Sequence, residues 1–156
     1  MPKRKSWREK LADDKGLPKV VKIGGPMSRK WGEGTCVIAA PAEVDAIMSR
    51  VPKGKLITIN QIRNHLAKQH EATIGCPMTT GIFAWIAAHA AEEAASEGRK
   101  RITPYWRTLK SGGELNAKYP GGIENLKKHL KAEGHSVVQR GKRFFVEDAE
   151  KALARL

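Results

Sequence analysis

Cysteine is scarce in this chain, with two thiols among 156 residues. That excludes the dense disulfide framework of small secreted domains and makes a reducing, cytoplasmic setting the expectation, nucleoid-associated if the cell is prokaryotic. Neither thiol belongs to a CxxC pair and no HExxH run occurs, so neither a structural zinc site nor a zinc-protease site is expected. The five histidines show no metal-ligand spacing, and the expectation is a protein with no metal and no cofactor. Long apolar runs are missing as well. Nothing approaches the roughly 18–20 residues of a membrane helix, and the opening MPKRKSWREK lacks the apolar segment of a secretory signal, so no membrane partner is expected. Acidic residues are the third deficit: 16 Asp and Glu stand against 29 Lys and Arg, a net charge of +13.

Such an excess suits a polyanion, because each phosphate neutralised by Lys or Arg releases condensed counterions. The charge is unevenly placed, with a net +6 over residues 1–35, −1 over residues 36–98 and +8 over residues 99–156. A near-neutral middle between basic ends describes a packed core with basic surfaces attached. The length falls within the roughly 100–200 residues of one domain, and a hydrophobic content of 40%, including four Trp, is enough for a core. Nucleic acid is the expected partner. Charge does not say which kind, and a merely soluble basic protein has the same balance.

Residues 1–35 are broken by Gly16, Pro18, Gly24, Gly25, Pro26, Gly32 and Gly34. Apart from a short helix around residues 7–11 they show no period, which predicts a basic, extended N-terminal arm that docks through Trp7 and Trp31 or stays partly mobile without DNA. Pro41 opens a helix with Val44, Ile47, Met48 and Val51 at spacings of three and four, closed by Pro52 and Gly54. Residues 55–58 read as a short strand. Thr58 and Gln61 have the form of a capping box, and Ile59, Ile62 and Leu66 share one face of the helix that follows. After a loop through Gly75, Cys76-Pro77 begins a longer helix, since proline suits the first helical position. Ile82, Phe83, Ile86 and Ala90 mark its apolar spacing, and Ser96-Glu-Gly98 ends it.

Helix, turn, helix is an arrangement used by many DNA-binding proteins, although helix pairs occur in every kind of protein. Beyond it lie a loop over residues 102–122 and a helix over residues 123–132, with Ile123, Leu126 and Leu130 inward. Two strands, residues 136–139 and 143–146, then flank a basic turn, which beside a helix-turn-helix has the form of a DNA-touching wing. Residues 147–156 are expected to form a short amphipathic helix. The expected fold class is mostly α: a winged-helix-like helix-turn-helix domain over residues 36–146 with a small β-hairpin, the basic arm before it and the C-terminal helix after it.

Three stretches occur together in order. The first is Val51-Pro-Lys-Gly54-Lys-Leu-Ile-Thr58-Ile-Asn-Gln61-Ile, and the second is Thr80-Gly81 in the long helix. The third runs Ile102-Thr-Pro104-Tyr-Trp-Arg107-Thr-Leu-Lys-Ser111-Gly-Gly-Glu-Leu and on through Tyr119-Pro-Gly121-Gly122 to Glu133-Gly134. Together they resemble the DNA-binding domain of the O6-alkylguanine-DNA alkyltransferases, and still more their non-catalytic relatives, the alkyltransferase-like proteins. The resemblance covers roughly residues 40–135. The third stretch is its most specific part, and the family's separate N-terminal domain has no counterpart in residues 1–35.

The catalytic family carries Pro-Cys-His-Arg in its active loop, where the Cys thiolate takes the alkyl group from a flipped guanine with help from the His and a downstream Glu. The matching positions here read Pro104-Tyr105-Trp106-Arg107, with Glu133 at the acid. A phenol of pKa about 10 stays protonated at neutral pH and is a poor acceptor in direct displacement. The indole of Trp106 has no basic nitrogen. Alkyl transfer is therefore not expected. The alkyltransferase-like relatives also lack the Cys and bind the lesion, and what the resemblance implies is a non-enzymatic sensor of this type. Its implied partners are double-stranded DNA, alkylated in the damaged case, and repair proteins, with the chain itself a monomer. The family's arginine finger falls at Met78 and its nucleotide-rotating tyrosine at Ile59, so DNA binding stands on firmer ground than lesion recognition.

The lesion-pocket candidates are Pro104, Tyr105, Trp106, Arg107, Tyr119 and Gly121. Tyr105 and Trp106 have two open readings, an aromatic wall for an extruded base or a filled-in pocket, and Arg107 is read as a loop support. The DNA-binding candidates are Ile59, Asn60, Met78, Thr79 and Thr80 near helix starts, and Arg140, Lys142 and Arg143 on the hairpin tip. Cys36 is read as buried and inert. Cys76, at a helix N-terminus where thiols ionise more readily, is read as a cap or packing residue. Two alternatives remain: alkyl transfer through another thiol such as Cys76, and a basic adaptor for RNA or a partner protein.

Overall fold

The computed structural model describes residues 5–14 and 16–156, without the side chains of Met27 and Trp31. In chain order the elements are α1 (Trp7–Ala12), β1 (Lys19–Lys22), α2 (Pro26–Trp31), β2 (Thr35–Ile38), α3 (Pro41–Ser49), β3 (Ile57–Thr58), α4 (Ile59–Gln69), β4 (Ile74–Gly75) and α5 (Pro77–Ser96). There follow β5 (Thr108–Leu109), α6 (Gly122–Ala132), β6 (Val137–Arg140) and β7 (Arg143–Val146), with single 3-10 turns at Tyr105–Arg107, Ser111–Gly113 and Ala149–Ala152. The molecule is α-rich with three small sheets.

Alanine puts α5 at the centre. Ala84, Ala87, Ala88 and Ala91 are buried along it, and their short side chains let α3 lie close, with Val44, Ile47 and Met48 buried against it. Burying a side chain the size of Ile47 or Met48 contributes about 1.5–3 kcal/mol. Enlarging Ala87 to Leu would overpack this contact, at a cost of about 1–3 kcal/mol. The expected capping box opens α4: Thr58 Oγ1 accepts the Gln61 N–H at 3.2 Å, and Gln61 Oε1 accepts the Thr58 N–H at 3.0 Å. Ile62 and Leu66 then turn into the core.

The turn between α4 and α5 contains β4, which pairs parallel with β2; β2 in turn pairs antiparallel with β1. Gly75 is required there, because a Cβ would lie 2.5 Å from the Arg63 carbonyl oxygen. The loop expected over residues 102–122 contains β5, which pairs parallel with β3. The hairpin formed by β6 and β7 stands close to where the sequence put it, in register from Val137↔Val146 to Arg140↔Arg143.

Two expectations need correction. The described part of residues 1–35 docks through Trp7, as expected, but is folded onto the domain as helix and strand and not as an unpaired extended arm. The amides of β1 pair with β2, and α1 lies on α5, where Trp7 stacks on His89 at 4.4 Å and meets Trp85 edge-on at 4.8 Å. The Glu93 carboxylate accepts the N–H groups of Trp7 and Arg8, satisfying donors that a helix start leaves open. Docking through Trp31 lies outside the described residues. Residues 147–156 do not form a helix beyond the one 3-10 turn. Leu56 donates to the Ala152 carbonyl at 2.9 Å and Ala154 donates to the Leu56 carbonyl at 2.7 Å, so strand-like pairing with the core satisfies backbone groups that a helix would otherwise have bonded internally.

Candidate nucleic-acid interface

The segment Pro104-Tyr105-Trp106-Arg107 is closed. Tyr105 is fully buried, its hydroxyl donating to Glu92 Oε2 at 3.0 Å and accepting from Asn125 Nδ2 at 2.9 Å. Burial, and then the Glu92 charge, push this phenol up to about 12, so it is protonated at neutral pH. Trp106 stacks on His129 with ring centres 4.1 Å apart and donates its indole N–H to Glu133 Oε2 at 2.8 Å. Arg107 grips the same carboxylate through Nε at 2.9 Å and Nη2 at 2.8 Å, and its Nη1 donates to the Val51 carbonyl at 2.7 Å. The Gly54 N–H completes the set at 3.1 Å. Burial alone would raise the Glu133 carboxyl; the bonds from Arg107, Trp106 and Gly54 outweigh it and hold the group below the usual carboxylate range.

Of the lesion-pocket candidates, Pro104, Tyr105 and Tyr119 are therefore core residues, and burial pushes the Tyr119 phenol far up. Of the two open readings, Tyr105 takes the filled-in one, and Trp106 is half-buried with its edge bound to Glu133. Arg107 supports the loop, as expected. Gly121 sits at φ +76°, where an added Cβ would lie 2.5 Å from the Asn125 side chain. It keeps Asn125 in reach of Tyr105. Nothing in this group presents a nucleophile: Tyr105 is an un-ionised phenol and Trp106 an indole without a basic nitrogen.

An open cleft of about 590 Å³ lies elsewhere, between the starts of α4 and α5 and the loop around residues 110–118. Its apolar wall comes from Ile59, Met78, Ile82 and Trp85, with Met78 74% and Ile82 46% exposed. Arg63, Lys110 and Lys118 supply its positive charge. Asn60, Ser111 and Asn116 supply hydrogen-bonding groups, and Asn60 joins the two sides by donating to Ser111 Oγ at 3.2 Å while accepting from Arg63 at 3.2 Å. Trp85 is positioned by its indole N–H on the Lys118 carbonyl at 3.1 Å and by Trp7 behind it. Gly81 leaves the floor open, with nothing within 4 Å of where its Cβ would be. Apolar faces that a base can stack on, ringed by cations and amides, form a surface suited to a nucleotide.

The structure thus brings Ile59, Asn60 and Met78 together in one cleft, and it does not bring the other candidates there. Thr80 is buried and its hydroxyl donates to the Cys76 carbonyl at 2.7 Å, so it braces the helix rather than facing a phosphate. Thr79 lies in the first turn of α5 and does not line the cleft. Arg140, Lys142 and Arg143 are exposed on the hairpin. Arg140 and Arg143 lie over the Phe145 ring, and Arg143 is also paired with Glu114 at 2.7 Å. The hairpin reaches the cleft's loop through Leu115, which donates to the Phe144 carbonyl at 2.9 Å. Ile82, read from the sequence only as part of the apolar spacing of the helix, is a wall of the cleft. Sequence reading missed Trp85, Arg63, Lys110, Asn116 and Lys118. For Trp85 a signal existed, since positions 78, 81, 82 and 85 share one face of a helix; the cations and Asn116 carried none.

No protein-family model matches the chain, and no curated protein matches it in sequence. Among solved structures it is similar to the crystal structure of S. pombe Atl1 in complex with damaged DNA containing O6-carboxymethylguanine, at 17% identity and a TM-score of 0.53. It is similar also to S. pombe ATL in complex with DNA, at 16% identity and a TM-score of 0.55. Each comparison covers 74% of this chain and 94% of the other. The chain shares the fold of these DNA-bound proteins.

Proposed function

We propose that this protein is a non-enzymatic binder of double-stranded DNA of the alkyltransferase-like kind, with α5 entering the minor groove and the cleft holding a base displaced from the stack. The observation that carries this reading is Met78, a large apolar side chain left three-quarters exposed at a cationic cleft, at the position matching the family's arginine finger. Apolar wedges inserted at base steps unstack and bend duplexes in other minor-groove proteins. The hairpin is read as a wing whose Arg140 and Lys142 contact the backbone. A role in sensing alkylated bases and passing them to repair proteins, as a monomer, extends the same reading.

The shared fold with two DNA-bound structures supports it, as does the net charge of +13. The closed Tyr105 loop argues against transfer. A thiol acceptor has no geometric support either, because Cys76 is not part of the cleft lining. Fluorescence anisotropy with a duplex, plain or carrying O6-alkylguanine, tests the reading. With about five phosphates neutralised, log K should fall against log salt with a slope of about −4 to −5. Intact protein mass should stay unchanged after incubation with the lesion. A salt-independent affinity, a preference for structured RNA over duplex, or an alkyl adduct on the protein would each defeat it.

A further inference from the structure

β2 and β4 lie side by side, with Cys36 opposite Ile74 and Val37 opposite Gly75. The chain leaves β4 at Cys76, whose N–H donates to the Val37 carbonyl at 2.9 Å, and turns there into α5. Side chains alternate along a strand, so Cys36, Ile74 and Cys76 fall on one face. The two thiols therefore lie on the same face of neighbouring segments, the Cys36 thiol turned onto the Val37 carbonyl at 3.9 Å, and neither is in a disulfide. Their surroundings differ. Cys36 is 2% exposed, and burial, then Cys76, push its thiol up to about 11. Cys76 is only half-buried. Burial would raise it too, but hydrogen bonds from the Thr79 side chain, the Thr79 and Met78 amides and Cys36 bring it below the usual thiol value. One sulfur is thus reachable and readily ionised, and the other is sheltered on the adjoining strand. Redox-sensing cysteines share this division between an attacked and a resolving thiol.

We propose that Cys36 and Cys76 form a peroxide-responsive dithiol that closes to an intramolecular disulfide and clamps the first turn of α5 to β2. The oxidant is a hydroperoxide. The Cys76 thiolate attacks one peroxide oxygen, the O–O bond breaks, and Cys76 becomes a sulfenic acid while the other oxygen leaves as water or alcohol after taking up a proton. The Cys36 sulfur then attacks the sulfenic sulfur. The S–S bond forms, the S–O bond breaks, and hydroxide leaves with the Cys36 proton as water. Two thiols are oxidised and one peroxide is reduced. Closure draws the two sulfurs to bonding distance, which ties the start of α5 to β2.

The full chain, reduced and then treated with hydrogen peroxide, is expected to lose about 2 Da, the mass of two thiol hydrogens, and to regain it with dithiothreitol. Both cysteines of the oxidised form should resist iodoacetamide. Cys36→Ser should halt at the sulfenic acid, trapped on Cys76 by dimedone, whereas Cys76→Ser should leave Cys36 unmodified at the same dose. Hydrogen exchange over residues 76–80 should slow several-fold in the oxidised monomer. A bridge between two chains, equal peroxide reactivity of the two single-thiol variants, or unchanged exchange after complete oxidation would overturn the proposal. None of these readouts involves DNA, so their outcome is independent of the function proposed above.

Discussion

The closed loop at Tyr105–Arg107 and the open cleft at Met78 are made of the same ingredients, aromatic rings, cations and an asparagine, put to opposite uses. In the loop the polar ends of Tyr105, Trp106 and Arg107 turn inward onto Glu92, Asn125 and Glu133, and the rings are packed or stacked. In the cleft, Met78 and Ile82 face solvent although apolar burial would favour the core. A satisfied network stabilises a fold and leaves nothing for a ligand. An unsatisfied apolar wall contributes little to folding and is available for binding. On the proposed reading the molecule has converted an old reaction site into structure and kept the neighbouring cleft for DNA.

The strongest way to break this contrast is Glu133→Ala. It would leave the Arg107 guanidinium, only 13% exposed, without its carboxylate, and is expected to cost about 3 kcal/mol of stability, read as a fall in denaturation midpoint, while folded protein keeps its duplex affinity. The same carboxylate sets an acid limit. Its pKa is depressed in the folded state, so its contribution is complete above the ordinary glutamate value and is lost as pH falls through the lower folded value. Urea titrations at descending pH should show that loss in the native chain and not in Glu133→Gln. Met78→Ala is the converse probe. It should leave stability within about 0.5 kcal/mol and lower duplex affinity about tenfold, or about 1.4 kcal/mol. Equal damage to both properties would mean that Met78 is a packing residue.

Tyr105→Phe sharpens the comparison from the closed side. Removing the hydroxyl leaves Asn125 and Glu92 without that partner, for an expected loss of about 1 kcal/mol and no effect on binding. A gain of lesion affinity would instead show that the loop can reopen. The smallest effect belongs to Lys118→Ala, which should flatten the slope of log K against log salt by about one. An unchanged slope would remove this lysine from the phosphate contacts.

Much of the architecture was legible from local signals. Pro41 and Pro77 open helices, Thr58 and Gln61 cap α4 as their types require, and the hairpin follows from β-branched and aromatic runs on either side of Gly141. The elements that were missed are those whose backbone partners are remote. β1 bonds to β2, β5 to β3, and residues 152–154 to Leu56, and none of these segments is long enough to announce a period of its own. The site divided in the same way. That position 105 carries a phenol and not a thiol is plain chemistry on one residue. Its sealing depended on Glu92 and Asn125, which come from two other helices.

The sequence by itself determined the basic charge, the capped helices and a phenol rather than a thiol at position 105, because each is a property of a residue type or of spacing within one turn. Only the tertiary structure decided which apolar residues would be left in solvent. Met78, Ile82 and Trp85 form a wall because α4 and the loop carrying Lys110 and Lys118 stop short of that face of α5. Burial depends on what else arrives at a surface, and no residue encodes that alone.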